Sequence, residues 1–397
     1  MLVTPVFMDN HSTTRVDPRV VAAMLPYFDQ MYGNPGSSSH VYGWDARDAV
    51  DAARQTIAAA VGASSREIVF TSGATESNNL ALRGAAERLA HQGRHIVSVT
   101  TEHKAVLDPL RRLERSGYEV SWLPVEPAGS PRAGLLDVGR LVEALRVDTT
   151  LVSVMLANNE IGAIQPLAEI GQVCRERGVL LHCDATQAVG KIPVDVAALQ
   201  LDLMSFSAHK MYGPKGVGAL YVRRSSPPVR LWPLLEGGGQ EFGLRGGTLN
   251  VPGIVGFAAA LRLCLETMAD ESQRLRAMRQ RLFDGLTERA ENVQLNGPGL
   301  DQPAWRLAGN LNLSFAYVEG EALMLSMREL ALSSGSACTS ASPEPSHVLR
   351  ALGLTDDQVR GALRFGLGRF NTPEEVEFAI ETIAEAATRL RRLSSLA

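Results

Sequence analysis

Through roughly the first 260 residues, short apolar runs alternate with segments whose apolar positions recur every three to four residues. The runs predict strands at 67–71, 95–99, 119–123, 151–155, 179–184, 203–205 and 218–222, and the periodic segments predict helices at 46–61, 77–91 and 167–177. Strands alternating with helices are the pattern of an α/β domain with a mostly parallel sheet flanked by helices. From 254 to about 290 a long stripe through Phe257, Leu261, Leu265, Met268, Leu275, Met278, Leu282 and Leu286 predicts one extended helix or two in series. A smaller α/β C-terminal domain follows, with strands expected near 309–315 and 361–366 and helices near 320–329 and 346–351. Its closing helix starts at Thr372-Pro373-Glu374-Glu375, an N-cap, an N1 proline and an N3 glutamate, and carries the stripe Val376, Ala379, Ile380, Ile383, Ala387 and Leu390. The expected division is a large domain over 15–257 and a small one built from 1–14 with 258–397.

Composition narrows the function classes. With 397 residues, 45% hydrophobic and 21% charged, the chain can bury a sizeable core, and a net charge of -4 without a basic run gives no footprint for nucleic acid. No uncharged stretch reaches the roughly 18 residues of a membrane span, and the N-terminus lacks the basic and apolar regions of a signal peptide. The expectation is a cytoplasmic protein with neither nucleic-acid nor membrane partners. Four cysteines, Cys174, Cys183, Cys264 and Cys338, are too few and scattered for a disulfide framework. The histidines have no metal-ligand spacing, so no metal is expected. Lysines are also four: Lys104, Lys191, Lys210 and Lys215.

Four segments carry candidate chemistry. In EIVFTSGATESNN (67–79) a strand enters a small-residue turn and then a helix, so Gly73, Ala74 and Thr75 offer backbone N–H groups and a hydroxyl to an anion such as phosphate. The same turn is also an ordinary strand-to-helix connection. In VLLHCDATQAV (179–189), Asp184 ends an apolar strand, where open α/β sheets place ligands, or it simply caps the next element. Lys210 stands in a short polar loop between two apolar strands, a setting that suits an amine forming a Schiff base, whereas Lys191 and Lys215 are weaker candidates. An anion cradle, an aspartate and such a lysine together are what pyridoxal 5'-phosphate requires. The fourth segment, ALSSGSACTSASPEP (331–345), has no apolar periodicity and is expected to be a mobile loop exposing Cys338, an incidental thiol or a sulfur nucleophile.

Taken in order, the motifs GNPGSSSH (33–40), FTSGATESNN (70–79), TEHKAVL (101–107), ANNEIG (157–162), HCDATQAVGK (182–191), SFSAHKMYGPKGVGALY (205–221), RGGTLN (245–250), SSGSACTSASPEPSHVLRALG (333–353) and RFGLGRF (364–370) span nearly the whole chain. This set closely resembles cysteine desulfurases of the NifS/IscS type, pyridoxal phosphate enzymes of fold type I. The resemblance implies a homodimer that takes sulfur from L-cysteine, leaves alanine, and passes a Cys338 persulfide to an acceptor such as an iron–sulfur scaffold protein. It implies that Lys210 holds the cofactor, Asp184 its ring nitrogen and Gln187 its phenolic oxygen, while His103 stacks on the ring and moves protons. Ala74, Thr75, Ser207 and His209 would bind the phosphate, joined by Thr248 of the neighbouring subunit. Asn159 and Arg364 would hold the substrate carboxylate, Arg364 through a bidentate pair.

Departures from the family pattern are Ala208, Cys183, and His11 with Ser12 in the N-terminal element; the last two bear on the shape of the substrate channel. The sequence also stops at Ala397, short of the tail by which some relatives dock a scaffold, which leaves the acceptor open. A selenocysteine lyase or an aminotransferase would share Lys210 and Asp184 without needing the thiol loop. An idle regulatory member would have no reason to keep Lys210, His103, Asp184, Gln187 and Cys338 together.

Overall fold

A computed structural model describes residues 2–225, 227–334 and 345–393. Its main sheet has seven strands: β1 Ile68–Thr71, β2 His95–Val99, β3 Glu119–Leu123, β4 Thr149–Ser153, β5 Leu180–Asp184, β6 Leu203–Ser207 and β7 Gly218–Val222. They lie in the order β1-β7-β6-β5-β4-β2-β3, all parallel except β7, which runs antiparallel to both neighbours. Val97 registers with Val152, Val152 with Leu181, and Cys183 with Met204. Most of these strands are buried on both faces, which is why they appear in sequence as unbroken apolar runs.

Helices α1 Val41–Ala60, α2 Ala74–Leu89, α3 Lys104–Glu114 and α4 Leu167–Arg177 pack on the sheet. The next long helix, α5 Val251–Arg289, is continuous over 39 residues. Val251, Ile254, Phe257 and Leu261 sit in the core of the main sheet, whereas Met278, Leu282 and Leu286 sit in a second core. By length and composition α5 could cross a membrane, but its apolar face is spent on these two cores.

That second core lies against a four-stranded antiparallel sheet of β8 Val293–Leu295, β9 Asn310–Phe315, β10 Ser333–Ser334 and β11 Ala362–Gly366, in the order β10-β11-β9-β8. The closing helix α6 Pro373–Leu393 covers it with Val376, Ala379, Ile380, Ile383 and Ala387. At its start the Glu375 amide donates to Thr372 Oγ1 at 3.3 Å and the Thr372 amide to Glu375 Oε2 at 3.2 Å, the expected capping arrangement. The expected helix near 320–329 ends at Leu325, because Leu330 and Ala331 pair in parallel with Val6 and Phe7. Val6 and Met8 thereby enter the second core, and the chain then crosses to the main sheet through His11 to Thr14.

Two polar joints fasten this arrangement. Arg369 donates to Asp17 Oδ2 at 3.0 Å and to Glu271 Oε2 at 2.9 Å, with its guanidinium 4.1 Å from the Tyr212 ring centre. Arg54 on α1 grips Glu241 through both carboxylate oxygens, at 2.8 and 2.6 Å, and the Phe70 amide adds a third bond at 2.6 Å. Glu241 thus pins the loop leading to Thr248 beneath the edge strand β1.

Candidate active site

The carboxyl ends of β1, β5 and β6 meet the N-terminal crossing segment around a cavity of about 590 Å³. Ala74, Thr75, His103, Asn159, Asp184, Gln187, Ser207, His209 and Lys210 all line it. Thr248 does not, and is exposed. Arg364 does not line it either, but is fully buried beside it. Cys338 lies outside the described residues.

Each group is placed by the element that carries it. Gly73, between β1 and α2, has φ +155°, a conformation that side-chain-bearing residues rarely adopt. It allows the chain to turn directly into α2, so the first-turn N–H groups of Ala74 and Thr75 face the cavity floor. Ser207 ends β6, and the tight turn Ala208–Lys210 then lifts His209 and Lys210 over the same floor. Burial pulls the His209 pKa down to about 4, with Lys210, Lys215 and Lys191 adding to the effect. His209 is therefore neutral at pH 7.

Lys210 Nζ donates to the carbonyls of His11 and Ser12, at 2.6 Å each. Across the cavity, Asp184 at the tip of β5 accepts from Asn78 Nδ2 at 2.7 Å and from the Thr186 amide at 3.0 Å. His103 caps α3, its Nδ1 accepting from the Ala105 amide at 3.1 Å. Burial lowers its pKa, Asp184 opposing and Lys210 reinforcing the shift. The cap assigns the remaining ring proton to Nε2, so His103 takes up a second proton only by giving up the cap.

These groups fit a flat pyridine-type cofactor with an anionic tail. The helix start beside the Ser207 hydroxyl offers donors for a phosphate, the carboxylate fixed by two donors suits a protonated ring nitrogen, and an amine stands opposite. The buried hydroxyl of Thr186, which has no partner among the described residues, also belongs to this wall.

Several partners have no mark in the local sequence. Asn78, one turn into α2, orients Asp184. Ser12 Oγ accepts from Arg364 at 2.6 Å, and the same guanidinium pairs with Asp9 at 2.8 Å and with the Asn159 carbonyl at 3.2 Å. A substrate carboxylate at Arg364 would thus share a fork already engaged by Asp9. Arg245 pairs with Glu76 at 2.9 Å at the rim of the cradle. Lys191 donates to Gln187 Oε1 at 2.6 Å, a contact that their four-residue spacing could have signalled.

His182, Cys174, Cys183 and Cys264 stand outside the cavity lining. His182 is buried between the hydroxyls of Ser153 and Ser205, at 2.9 and 3.1 Å. Cys174, Cys183 and Cys264 are buried free thiols, and burial pushes Cys174 up to about 12, Cys264 to about 11, and Cys183 well above the ordinary value. The chain on either side of residues 335–344 is tied close to the cavity. Ser333 Oγ lies 3.5 Å from Ser12 Oγ, Ser346 donates to Glu160 at 2.5 Å, and His347 Nε2 lies 2.9 Å from the Glu102 carbonyl.

Comparison with known proteins agrees with this geometry. The sequence profile of the aminotransferase class-V family matches residues 6–378. The cysteine desulfurase IscS of Anaeromyxobacter dehalogenans is 56% identical over 392 residues, covering 99% of this chain and 95% of the relative. The cysteine desulfurase IscS of Aeromonas hydrophila is 55% identical over 394 residues, covering 99% and 95%. Among solved structures, a NifS-like protein superposes with a TM-score of 0.88 at 37% identity, covering 97% of this chain and 99% of that one. A structure described as SspA in complex with cysteine has a TM-score of 0.80 at 34% identity, covering 92% and 99%.

Proposed function

The chain belongs to the aminotransferase class-V family and is a cysteine desulfurase, and from that premise we propose how its residues divide the work on L-cysteine. Members of this family are pyridoxal phosphate enzymes. When bound, pyridoxal phosphate supplies a ring that withdraws electrons from the substrate carbon next to the amine. The observation that carries the reading is that the Lys210 amine, the Asp184 carboxylate and the Gly73–Thr75 cradle face one cavity.

Lys210 would hold the cofactor, and its amine is the group placed to move protons; the His11 and Ser12 carbonyls keep that amine over the floor. Asp184, fixed by Asn78 and Thr186, keeps the ring nitrogen protonated. Gln187 would hydrogen-bond the phenolic oxygen, and Ala74, Thr75, Ser207 and His209 would hold the phosphate. His103 would cover the ring, with its Nε2 as the atom left to carry a proton. Asn159 and Arg364 hold the substrate carboxylate, with Ser12 and Asp9 orienting the guanidinium.

Cys338, as thiolate, attacks the substrate sulfur. The S–S bond forms as the C–S bond breaks, its electron pair passes to carbon, and protonation there gives alanine. The persulfide then passes to a sulfur-accepting protein such as an iron–sulfur scaffold.

We place the enzyme in the cytoplasm as a homodimer. Leu25, Phe28, Tyr32, Tyr42 and Trp44 are large apolar side chains between 48% and 63% exposed, and the Tyr32 and Tyr42 rings lie 5.3 Å apart, an apolar face suited to a second copy. Thr248, exposed and outside its own cavity, is then available to the partner's phosphate. We divide the chain into a large domain over 15–257 and a small one built from 1–14 with 258–397, joined within α5; the second core, drawn wholly from the latter segments, supports the small domain, while Leu261, Leu307 and Val348 pack into the main core.

The test is incubation with L-cysteine and a thiol reductant. Wild type yields alanine and sulfide in equal amounts, and both disappear in Lys210→Ala and Cys338→Ala. Full activity in Cys338→Ala would move a lyase reading ahead, and no product from wild type would restore the idle-module reading.

A further inference from the structure

Behind the larger cavity lies a second one of about 40 Å³, lined by His11 and Lys191 and, on its far side, by Tyr212, Cys264 and Glu271. Gln187 faces the larger cavity, so its carboxamide forms part of the wall between the two. Three bonds hold that carboxamide. Lys191 Nζ donates to Oε1 at 2.6 Å, His11 Nδ1 lies 3.2 Å from the same oxygen, and Nε2 donates to the His11 carbonyl at 2.8 Å.

An amide oxygen has two lone pairs and an amide nitrogen two hydrogens. Lysine has hydrogens to donate whether charged or neutral, and Oε1 is the atom it needs. With both lone pairs of Oε1 engaged and one Nε2 hydrogen committed to His11, the group that Gln187 has left to offer is its second N–H. Lys191 is faced by Lys210 and Arg364, and by Glu271 and Cys264 on the other side; burial and Lys210 pull its pKa down to about 7.

We propose that Lys191 is a positioning residue that locks the Gln187 carboxamide as a hydrogen-bond donor toward the cofactor's phenolic oxygen. The inference rests on the larger cavity being the pyridoxal phosphate site. Without Lys191 only the two His11 contacts hold the amide, and it turns over more often to present its oxygen, which repels an oxyanion. The bound cofactor then retains protons to higher pH.

The test is the pH midpoint of the visible absorbance of the pyridoxal phosphate-loaded protein, with the cofactor dissociation constant measured alongside. Lys191→Met raises the midpoint by about one pH unit, the scale of losing one nearby donor and charge. Lys191→Ala does the same and serves if the methionine variant does not fold, while Lys191→Arg stays near wild type. In a Gln187→Leu background, Lys191→Met adds little, because its route of action is gone. Unmoved midpoints in both Lys191→Met and Lys191→Ala, or an equal shift with and without Gln187, overturn the inference and leave the cofactor reading standing. A wild type that takes up no pyridoxal phosphate and gains no visible band overturns the cofactor reading itself.

Discussion

The side-chain amide of Asn78 donates to Oδ2 of Asp184 at 2.7 Å, across 106 residues of sequence. A carboxylate that must keep one orientation toward a ring nitrogen gains most from a donor it cannot turn away from. Asn78→Ala removes that donor without touching the acid, and a bond to a charged group contributes about 1.5–3 kcal/mol. The expected result is a fall in kcat/KM for L-cysteine of roughly tenfold to a hundredfold, with the cofactor still bound. Steady-state kinetics and absorbance spectra of the variant check both halves.

Arg364 is buried with its guanidinium on Asp9, Ser12 and the Asn159 carbonyl. Lysine cannot span those partners and a substrate carboxylate together. Arg364→Lys should raise KM for L-cysteine by about tenfold or more, the scale of one charge-assisted bond, while the cofactor spectrum stays close to wild type. Initial rates over a range of cysteine concentrations decide it.

The Arg54–Glu241 pair is buried on both sides, with side-chain exposures of 9% and 1%. Removing one member leaves an uncompensated charge, so Glu241→Ala should cost about 3–5 kcal/mol of stability. Replacing both residues with apolar side chains should cost less. Denaturant unfolding of the single and double variants compares them.

His182 has its pKa pulled down to about 4 by burial, which outweighs the opposing pull of Asp184. Its unfolded value is near 6.5. Between these values the unfolded chain binds a proton that the folded protein refuses, so stability falls as pH falls from about 6.5 toward 4, by about 1.4 kcal/mol per pH unit for this group. His182→Gln should remove that part of the slope, leaving a melting temperature that depends less on pH across this window. Thermal melts at several pH values measure it.

The main sheet was legible because most of its strands are buried on both faces and bounded by turn residues; 95–99 and 218–222 fall where the structure has them, as does the half-buried edge strand 119–123. Strand β6 runs two residues beyond the expected 203–205, to Ser207, whose polar side chain disguised the end of the strand. The short pairing of Val6 and Phe7 with Leu330 and Ala331 has no local signal, since it joins segments more than 300 residues apart. The cavity-lining residues named from motifs face one cavity; Asp184 and Ser207 end strands and Ala74, Thr75 and His103 start helices that the sequence announces, whereas Asn159, Gln187, His209 and Lys210 lie in turns that follow such strands. Their supports, Asn78 for Asp184, Ser12 for Arg364 and Lys191 for Gln187, depend on how distant or adjoining elements pack, and only the Gln187–Lys191 spacing carried a hint of it.

The most direct measurement of the central claim is peptide mass spectrometry of the purified, pyridoxal phosphate-loaded enzyme after incubation with L-cysteine and no reductant. The account predicts one added sulfur atom on the peptide containing Cys338, removed by a thiol reductant, with one alanine formed per modified site and nothing added at Cys174, Cys183 or Cys264. Alanine formed without any sulfur on Cys338, or sulfur carried on one of the buried cysteines instead, would contradict it.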